Sequence, residues 1–197
     1  MFHALLKNKA FKSKIRGFFQ ENKADVLDII LIGSTVRGKE SPQDIDILLL
    51  FKDKEDLECA YTVRKELEKL GLKKTFNILT KTYRSLISET FLAKEAFLSE
   101  GYSLITNKFV SEELGYHTFI LFKYELKGFT QSQRMQFQYS LYGRKNQGGM
   151  LKKLSLIKFS DMILLSPVPH AEKTKEYLLF WNIKFEEMPI LLPSRIV

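Results

Sequence analysis

Two aspartates separated by one residue open an apolar segment of the chain. The stretch LIGSTVRGKESPQDIDILLLF, residues 31–51, places Asp44 and Asp46 a short distance after a Gly-Ser pair. Burying a carboxylate is costly unless a cation or hydrogen-bond donors compensate its charge. Successive side chains of a strand point to opposite faces, so both carboxylates would lie on one face. The pattern therefore predicts that the two aspartates bind a cation.

Magnesium is the cation that this pattern fits best. Mg²⁺ accepts one or two carboxylates and completes its octahedron with water and substrate phosphate oxygens. Gly33 and Ser34 end one apolar run and open a short helix, where backbone N–H groups and a hydroxyl can bind a phosphate. Ser34 also suits the N-cap position of that helix. Arg37 either reaches a phosphate or pairs with Asp44 or Glu40. These residues together predict a site for magnesium and a nucleoside triphosphate.

The arrangement resembles the signature of the DNA polymerase beta-like nucleotidyltransferase superfamily. It consists of a Gly-Ser pair within IGSTVRG and of DID in an apolar strand. Nine residues, Thr35 to Gln43, separate the Gly-Ser pair from Asp44. The resemblance covers about the first 110 residues. Members transfer a nucleoside monophosphate from a triphosphate to a hydroxyl on RNA, DNA, a protein or a small molecule. The resemblance implies that Gly33 and Ser34 hold the β- and γ-phosphates. It also implies that Asp44 and Asp46 are catalytic and bind Mg²⁺, which stabilises the in-line displacement.

One position departs from the family pattern. The family usually has a third carboxylate on the strand after the long helix, and here that strand reads TFNILT, with Asn77 at the expected place. An amide offers a neutral ligand and cannot accept the proton of the attacking hydroxyl. Glu89 or Glu95 of the next helix are candidate substitutes, and a polar residue on an exposed strand face is an equally simple interpretation of Asn77. The departure bears on activity more than on fold or nucleotide binding.

Hydrophobic periodicity predicts the elements that position this site. The first part of the chain is predicted to alternate helix and strand, with helices at 3–20, 54–71 and about 82–100, a short helix after Gly33, and strands at 26–33, 44–51, 72–80 and 102–106. The later part is predicted to contain a strand at 117–126, a helix at 130–142, a glycine-rich basic loop at 143–149, a helix at 150–159 and a final strand, helix and strand.

We therefore predict an α/β (α+β) protein of two domains. Residues 1–110 would form a polymerase beta-like nucleotidyltransferase core, with a mixed sheet and flanking helices. Residues 111–197 would form a small, basic α+β accessory domain, for which no family is recognised. No repeat or low-complexity linker marks the boundary, which rests on the change of character near residue 110.

The charge distribution indicates an anionic partner for the second half. The chain has a net charge of +8. The stretch from Lys123 to Lys158 contains eight basic residues and one acidic residue, a net charge of +7. Aromatic residues are interleaved with these cations, a combination that binds single-stranded nucleic acid by charge and stacking. The candidate phosphate contacts are Arg144, Lys145, Lys152 and Lys153. The alternative is that most of the aromatic residues belong to the core and that the loop is a charged turn.

Composition excludes several other classes of site. One cysteine, Cys59, excludes an internal disulfide and a cysteine-based zinc cluster, and three scattered histidines show no metal-ligand spacing. Any metal must then be held by oxygen. No apolar run approaches the roughly 20 residues of a membrane-spanning helix, and the lysine-rich N-terminus lacks the features of a secretory signal. We expect a cytoplasmic protein without a membrane partner.

Three functions remain open on the sequence alone. The leading hypothesis is a magnesium-dependent enzyme that moves a nucleotide from a triphosphate to a nucleic acid, RNA before DNA, or to a protein. The second is a catalytically weak or inactive module that binds nucleotide or nucleic acid as a regulator, with Asn77 as its mark. The third is a small antitoxin-like nucleotidyltransferase that modifies a partner protein.

Overall fold

The chain divides into two units, Met1–Tyr116 and His117–Val197. The computed structural model describes residues 1–86, 88, 94–144 and 147–195. Each unit contains a four-stranded sheet, and a two-stranded hairpin completes the described part of the chain. The predicted class, α/β with a mixed sheet and flanking helices, is confirmed. That residues 1–110 and 111–197 are two domains stays a prediction.

The first unit is built on a mixed sheet. Its helices are α1 (Phe2–Lys7), α2 (Lys9–Asn22), α3 (Leu57–Glu68), α4 (Tyr83–Leu86), α5 (Lys94–Glu100) and α6 (Val110–Glu113). Its strands are β1 (Val26–Ile32), β2 (Asp44–Phe51), β3 (Thr75–Thr82) and β4 (Tyr102–Ser103). The strand order is β3-β2-β1-β4. The β2–β3 pair is parallel, whereas β1 runs antiparallel to both β2 and β4.

The helix predicted over residues 3–20 is two helices. Asn8 adopts an extended backbone conformation between α1 and α2, and its side chain accepts a hydrogen bond from the N–H of Phe11. By capping α2, the Asn8 side chain satisfies an N–H group of the first turn, which has no partner within the helix. The predicted amphipathic character holds on α2, where Phe11, Ile15 and Phe18 are buried.

Both faces of the sheet are packed, and the carboxylates lie on the second face at the end of β2 that its hydrophobic cluster does not cover. The ring of Phe11 on α2 stacks on that of Phe76 on β3, with centroids 6.4 Å apart. Phe76 is paired in register with Ile45, and both side chains are buried. Because side chains alternate along a strand, Asp44, Asp46 and Asn77 project from the opposite face.

The second unit also contains a four-stranded sheet. Its elements are β5 (Tyr116–Glu125), α7 (Gln131–Tyr142), β6 (Gly143–Arg144), β7 (Gln147–Gly148), α8 (Met150–Lys153), β8 (Ile157–Ser160), β9 (Ile163–Pro167), α9 (Ala171–Phe180) and β10 (Lys184–Pro193). The strand order is β10-β5-β9-β8, and β6 pairs with β7 in a separate hairpin. The core contains residues of β5, α7, β9 and α9, among them Phe122, Phe137, Leu164 and Leu178.

The helix predicted over 150–159 is wrong beyond its first turn. Helix α8 ends at Lys153, and the chain then forms the edge strand β8. Ser155 has a positive φ of 52°, a left-handed conformation that cannot continue a right-handed helix. Among the described residues, no helix has both the length and the apolar character needed to cross a bilayer.

A partly buried aspartate away from the carboxylate pair leads to a prediction about stability. Asp28 on β1 accepts hydrogen bonds from the hydroxyl of Ser103 at 2.8 Å and from the N–H of Ile29 at 2.7 Å. Burial nevertheless raises the pKa of Asp28 to about 6. The folded state therefore binds a proton more tightly than the unfolded chain, and the free energy of unfolding falls as pH rises from about 4 to about 6.

We expect Asp28→Asn to stabilise the protein above pH 6, because an amide accepts the same hydrogen bonds without carrying a charge. After allowance for partial solvent exposure the gain is about 1–2 kcal/mol. Urea unfolding at several pH values checks this. A gap between variant and parent that widens from pH 4 to 6 and is then constant supports the prediction, and a gap independent of pH contradicts it.

Candidate active site

Asp44 and Asp46 lie together at the N-terminal end of β2. Both are partly buried, whereas Ile45 and Ile47 between and beside them are fully buried on the other face. The alternation is confined to this end of β2, because Leu48 and Leu50 on the same face as the aspartates are buried as well. The two carboxylates therefore share one face of the sheet at the N-terminal end of β2, where they are partly exposed to a cation and a substrate.

Gly33 packs directly against the Asp46 carboxylate. It begins a short 3₁₀ turn, Gly33–Thr35, immediately after β1, whose last residue, Ile32, pairs in register with Asp46. Gly33 has a φ of +78°, and a Cβ atom built on it would lie 2.7 Å from Oδ2 of Asp46. Glycine suits this position, since a residue with a Cβ atom would be strained at this φ and would force the Asp46 carboxylate to move.

The turn after Gly33 is closed by its own backbone. The carbonyl of Gly33 accepts from the N–H of Val36 at 3.0 Å and from that of Arg37 at 3.3 Å, and the carbonyl of Ser34 accepts from Lys39 at 3.1 Å. Ser34 is partly exposed. The predicted phosphate-binding pair thus lies on a closed turn beside the predicted metal-binding pair.

Asn77 is the neighbour of Asp46 on the next strand. The parallel β2–β3 register pairs Asp46 with Asn77, and the amide Nδ2 donates a hydrogen bond to Oδ1 of Asp46 at 3.0 Å. Of the two candidate substitutes for a third carboxylate, Glu95 lies in the first turn of α5, and Glu89 lies outside the described residues. The amide therefore occupies the place beside the pair that the sequence comparison predicted for it.

The electrostatics of Asp46 favour a cation. Burial raises the pKa of Asp46, the hydrogen bond from Asn77 lowers it, and the negative charge of Asp44 raises it again. A divalent cation beside the pair would relieve both the desolvation and the repulsion between the carboxylates. Two carboxylates and an amide are all oxygen donors of the kind that Mg²⁺ prefers. Among the described residues, no group of three or more His, Cys, Asp or Glu side chains forms a complete protein-ligand metal cluster. Substrate phosphates and water would complete the coordination.

Residues 13–101 match the family model described as Polymerase beta, Nucleotidyltransferase. The N-terminal half of the chain carries a polymerase beta-like nucleotidyltransferase domain. The match begins within α2 and includes the Gly33 turn, both carboxylate positions and Asn77, so it contains the whole of the site described above. No curated protein matches the chain.

Several solved structures are similar to part of the chain. One is a toxin-antitoxin crystal structure with AMP-PNP, at 22% identity over 47% of this chain and 71% of that chain, with a TM-score of 0.37. Another is a tri-AMPylated Shewanella oneidensis HEPN toxin in complex with MNT antitoxin, at 24% identity over 47% and 67%, with a TM-score of 0.33. A third is the toxin-antitoxin MntA-HepT, at 20% identity over 47% and 68%, with a TM-score of 0.33. Each covers less than half of this chain.

Within the nucleotidyltransferase domain, Arg37 has a partner that the sequence did not indicate. Its Nη1 donates to Oε1 of Glu100 at 3.2 Å, and only 20% and 11% of the two side chains are exposed. The ion pair links the turn after Gly33 to the last residue of α5, 63 positions away. A phosphate contact by Arg37 stays a prediction.

The predicted nucleic-acid contacts belong to the second unit. Arg144, Lys152 and Lys153 are exposed, and among the described residues no carboxylate pairs with them. Lys145 lies outside the described residues. Their role as nucleic-acid contacts stays a prediction, which is developed below.

We expect Asn77→Asp to make the stability of the nucleotidyltransferase domain depend on magnesium. The substitution replaces a hydrogen-bond donor 3.0 Å from Asp46 with a second negative charge, which is unfavourable without a cation. Added Mg²⁺ should raise the melting temperature of this variant by several degrees more than that of the parent. Transfer activity should also rise if the missing carboxylate limits it.

Asn77→Ala is the matched control, because it removes the hydrogen bond without adding charge. Thermal unfolding with EDTA or with Mg²⁺ compares the three proteins. Equal responses to Mg²⁺ in all three would place the metal away from Asn77.

Proposed function

We propose that the protein is a magnesium-dependent nucleotidyltransferase that moves a nucleoside monophosphate from a nucleoside triphosphate to a hydroxyl acceptor. The acceptor is a nucleic acid, with RNA favoured over DNA, or a protein. The observation that carries the proposal is the contact between Gly33 and Asp46. It brings the turn proposed to bind phosphate against the carboxylate proposed to bind the metal, so closely that a Cβ atom at position 33 would lie 2.7 Å from Oδ2 of Asp46.

Each residue of the site has a distinct role in this proposal. The N–H groups of the Gly33–Ser34 turn and the Ser34 hydroxyl bind the β- and γ-phosphates. Asp44 and Asp46 hold Mg²⁺, which when bound neutralises phosphate charge and orients the triphosphate. Arg37 fixes the turn through Glu100. The domain thus positions the triphosphate for attack on its α-phosphorus.

The reaction forms one bond and breaks one. The acceptor oxygen bonds to the α-phosphorus, the bond from the α-phosphorus to the oxygen bridging to the β-phosphate breaks, and pyrophosphate leaves. The hydroxyl proton passes to solvent water, because the Asn77 amide cannot accept it. The hydrogen bond from Asn77 to Asp46 therefore also supports a second candidate, a weakly active or inactive module that binds nucleotide as a regulator.

The acceptor is the least determined part of the proposal. The exposed Arg144, Lys152 and Lys153 of the second unit support a nucleic acid, and with Lys145, which lies outside the described residues, they are the proposed phosphate contacts. A protein acceptor, as in an antitoxin-like nucleotidyltransferase, uses the same chemistry on a different hydroxyl. The two acceptors differ in where the transferred nucleotide is found.

Incorporation of label from α-labelled nucleoside triphosphates tests the proposal. The protein is incubated with each triphosphate and Mg²⁺, with and without total RNA, and the label on RNA and on protein is measured. We expect label that requires Mg²⁺ and is absent with Asp44→Asn/Asp46→Asn. Triphosphate binding without any label would overturn the enzymatic proposal and support the regulatory one.

A further inference from the structure

The basic side chains between residues 123 and 158 fall into two groups, those that have a polar partner and those that do not. Lys123 pairs with Glu186 at 3.3 Å and Lys158 with Asp161 at 2.8 Å. Arg134 donates to the backbone carbonyls of Leu126 and Phe129. Among the described residues between 123 and 158, four cations have no such partner, namely Lys127, Arg144, Lys152 and Lys153. These four carry charge that the fold does not neutralise.

The aromatic residues from 122 to 142 also fall into two groups, buried and exposed. Phe122, Tyr124 and Phe137 are buried in the core of the unit, and Phe129 packs against that core. Tyr139 and Tyr142 are instead 46% and 47% exposed. They lie three residues apart on α7, a spacing that makes side chains neighbours on one helix face. The core interpretation is correct for the first group, and the two tyrosines remain at the surface.

Both exposed tyrosines are held beside a cation. The guanidinium of Arg144 lies 5.2 Å from the centroid of the Tyr139 ring, and the ammonium of Lys158 lies 5.5 Å from that of Tyr142. Hydrogen bonds to Asp161 and to Tyr142 raise the pKa of Lys158. Each exposed ring therefore has a positive charge beside it before any ligand binds.

The hairpin that carries Arg144 is closed onto the end of α7. Gly143 pairs with Gly148, and Arg144 with Gln147. A Cβ atom on Gly149 would lie 2.3 Å from the carbonyl oxygen of Leu141, so the chain passes backbone against backbone at this point. Lys152 lies across Gly148, where a Cβ atom would come within 2.7 Å of its Cδ. The glycines thus bring Arg144 and Lys152 to the tyrosine pair on one small surface.

We propose that Tyr139, Tyr142, Arg144 and Lys152 form a binding surface for single-stranded nucleic acid. The tyrosines stack on unpaired bases, and Arg144 and Lys152 neutralise the adjoining phosphates. This inference rests on the proposed function, since it names the acceptor class as single-stranded RNA. The surface goes beyond the phosphate contacts predicted from the sequence, because it adds two tyrosines. Stacking on those rings requires bases that are not paired in a duplex.

The exposed groups favour a single strand over other anionic partners. A duplex hides its base faces, so exposed rings would gain little from it. An anionic membrane attracts cations, but stable binding in its interface needs an apolar face. The apolar face of α7, with Phe137 and Leu141, is buried in the core. Exposed apolar side chains, Ile157 and Phe159, do lie on β8, so vesicle binding is one arm of the test. The two exposed rings together with the unpaired Arg144 and Lys152 match the bases and phosphates of a single strand.

Fluorescence anisotropy on the full chain in EDTA tests the surface without any transfer reaction. The probe is a labelled single-stranded RNA of about 12 nucleotides. Tyr139→Ala/Tyr142→Ala should weaken binding about 30-fold or more, whereas Tyr139→Phe/Tyr142→Phe should bind like the parent, because phenylalanine keeps the stacking face. Arg144→Gln/Lys152→Gln should reduce the slope of log K against log salt by about 1.4.

Tyr61→Ala on α3 is the matched control. That ring is 62% exposed and lies 5.4 Å from the ammonium of Lys65, so it has the same local chemistry at another place. The control should bind RNA like the parent. Circular dichroism verifies that the alanine variants are folded, and the phenylalanine pair provides a test that keeps the packing.

Three outcomes would overturn the inference. They are unchanged RNA affinity in the double alanine variant, equal affinity for a duplex of the same length, and binding to phosphatidylserine vesicles in place of RNA. Asp44→Asn/Asp46→Asn should keep full RNA affinity. If that variant binds RNA but the parent transfers no label, the proposed reaction fails while the surface stands.

Discussion

Replacing Asp44 with Asn is expected to lower the rate of nucleotide transfer about a thousandfold or more while the domain stays folded. The carboxylate and the amide have the same shape, and Asp44 is a partly exposed residue at the first position of β2. Loss of one charged ligand removes much of the metal-based stabilisation, which is worth several kcal/mol, and each 1.36 kcal/mol corresponds to about tenfold in rate. Initial rates of label incorporation at saturating triphosphate measure the effect.

Asp53→Asn is the matched control for this prediction. Asp53 is an exposed aspartate just beyond the other end of β2, so the same chemical change is made on the same segment of chain. This variant should transfer at the parental rate. Equal losses in both variants, or no loss in Asp44→Asn, would remove Asp44 from the site.

Replacing Gly33 with Ala is expected to abolish detectable transfer and to lower the free energy of unfolding by about 1–3 kcal/mol. The backbone cost comes from a φ of +78°, which is unfavourable for any residue with a Cβ atom. The larger effect on function comes from the contact with Asp46, because the new methyl group must displace the carboxylate from its place. Chemical unfolding and transfer rates, measured on the same preparation, separate the two effects.

Gly71→Ala isolates the backbone cost. Gly71 has a φ of +64°, and no atom lies within 4 Å of a Cβ built there. It should therefore lose a similar backbone contribution to stability and keep its transfer activity. If Gly33→Ala is as active as Gly71→Ala, then the contact between turn and carboxylate has no part in the reaction.

Local patterns predicted the centre of the nucleotidyltransferase domain well. Apolar runs place strands on both sides of the Gly33 turn, and strand alternation places Asp44 and Asp46 on one face. The same alternation puts Phe76 in the core and Asn77 outside it, so the position of the Asn77 amide could be predicted from the six residues TFNILT. These features depend on residues that are close in sequence or strongly periodic.

Features that depend on distant residues could not be predicted in the same way. The pairing of Arg37 with Glu100 joins residues 63 positions apart, and only the folded sheet brings α5 to the turn. The break at Asn8 was missed because the hydrophobic spacing continues across it, although asparagine is a common N-cap. For Tyr139 a signal was present. It lies two residues after Phe137, and residues two apart on a helix point to different sides, so a buried Phe137 implies an exposed Tyr139.

The central claim is that Gly33, Ser34, Asp44 and Asp46 together bind a magnesium-nucleoside triphosphate. Titration calorimetry with a triphosphate analogue that cannot be cleaved at the α-phosphorus tests it most directly. We predict binding that requires Mg²⁺, that is lost in Asp44→Asn/Asp46→Asn, and that is kept in Asp53→Asn. Binding of equal strength in EDTA, or in the double variant, would contradict the claim.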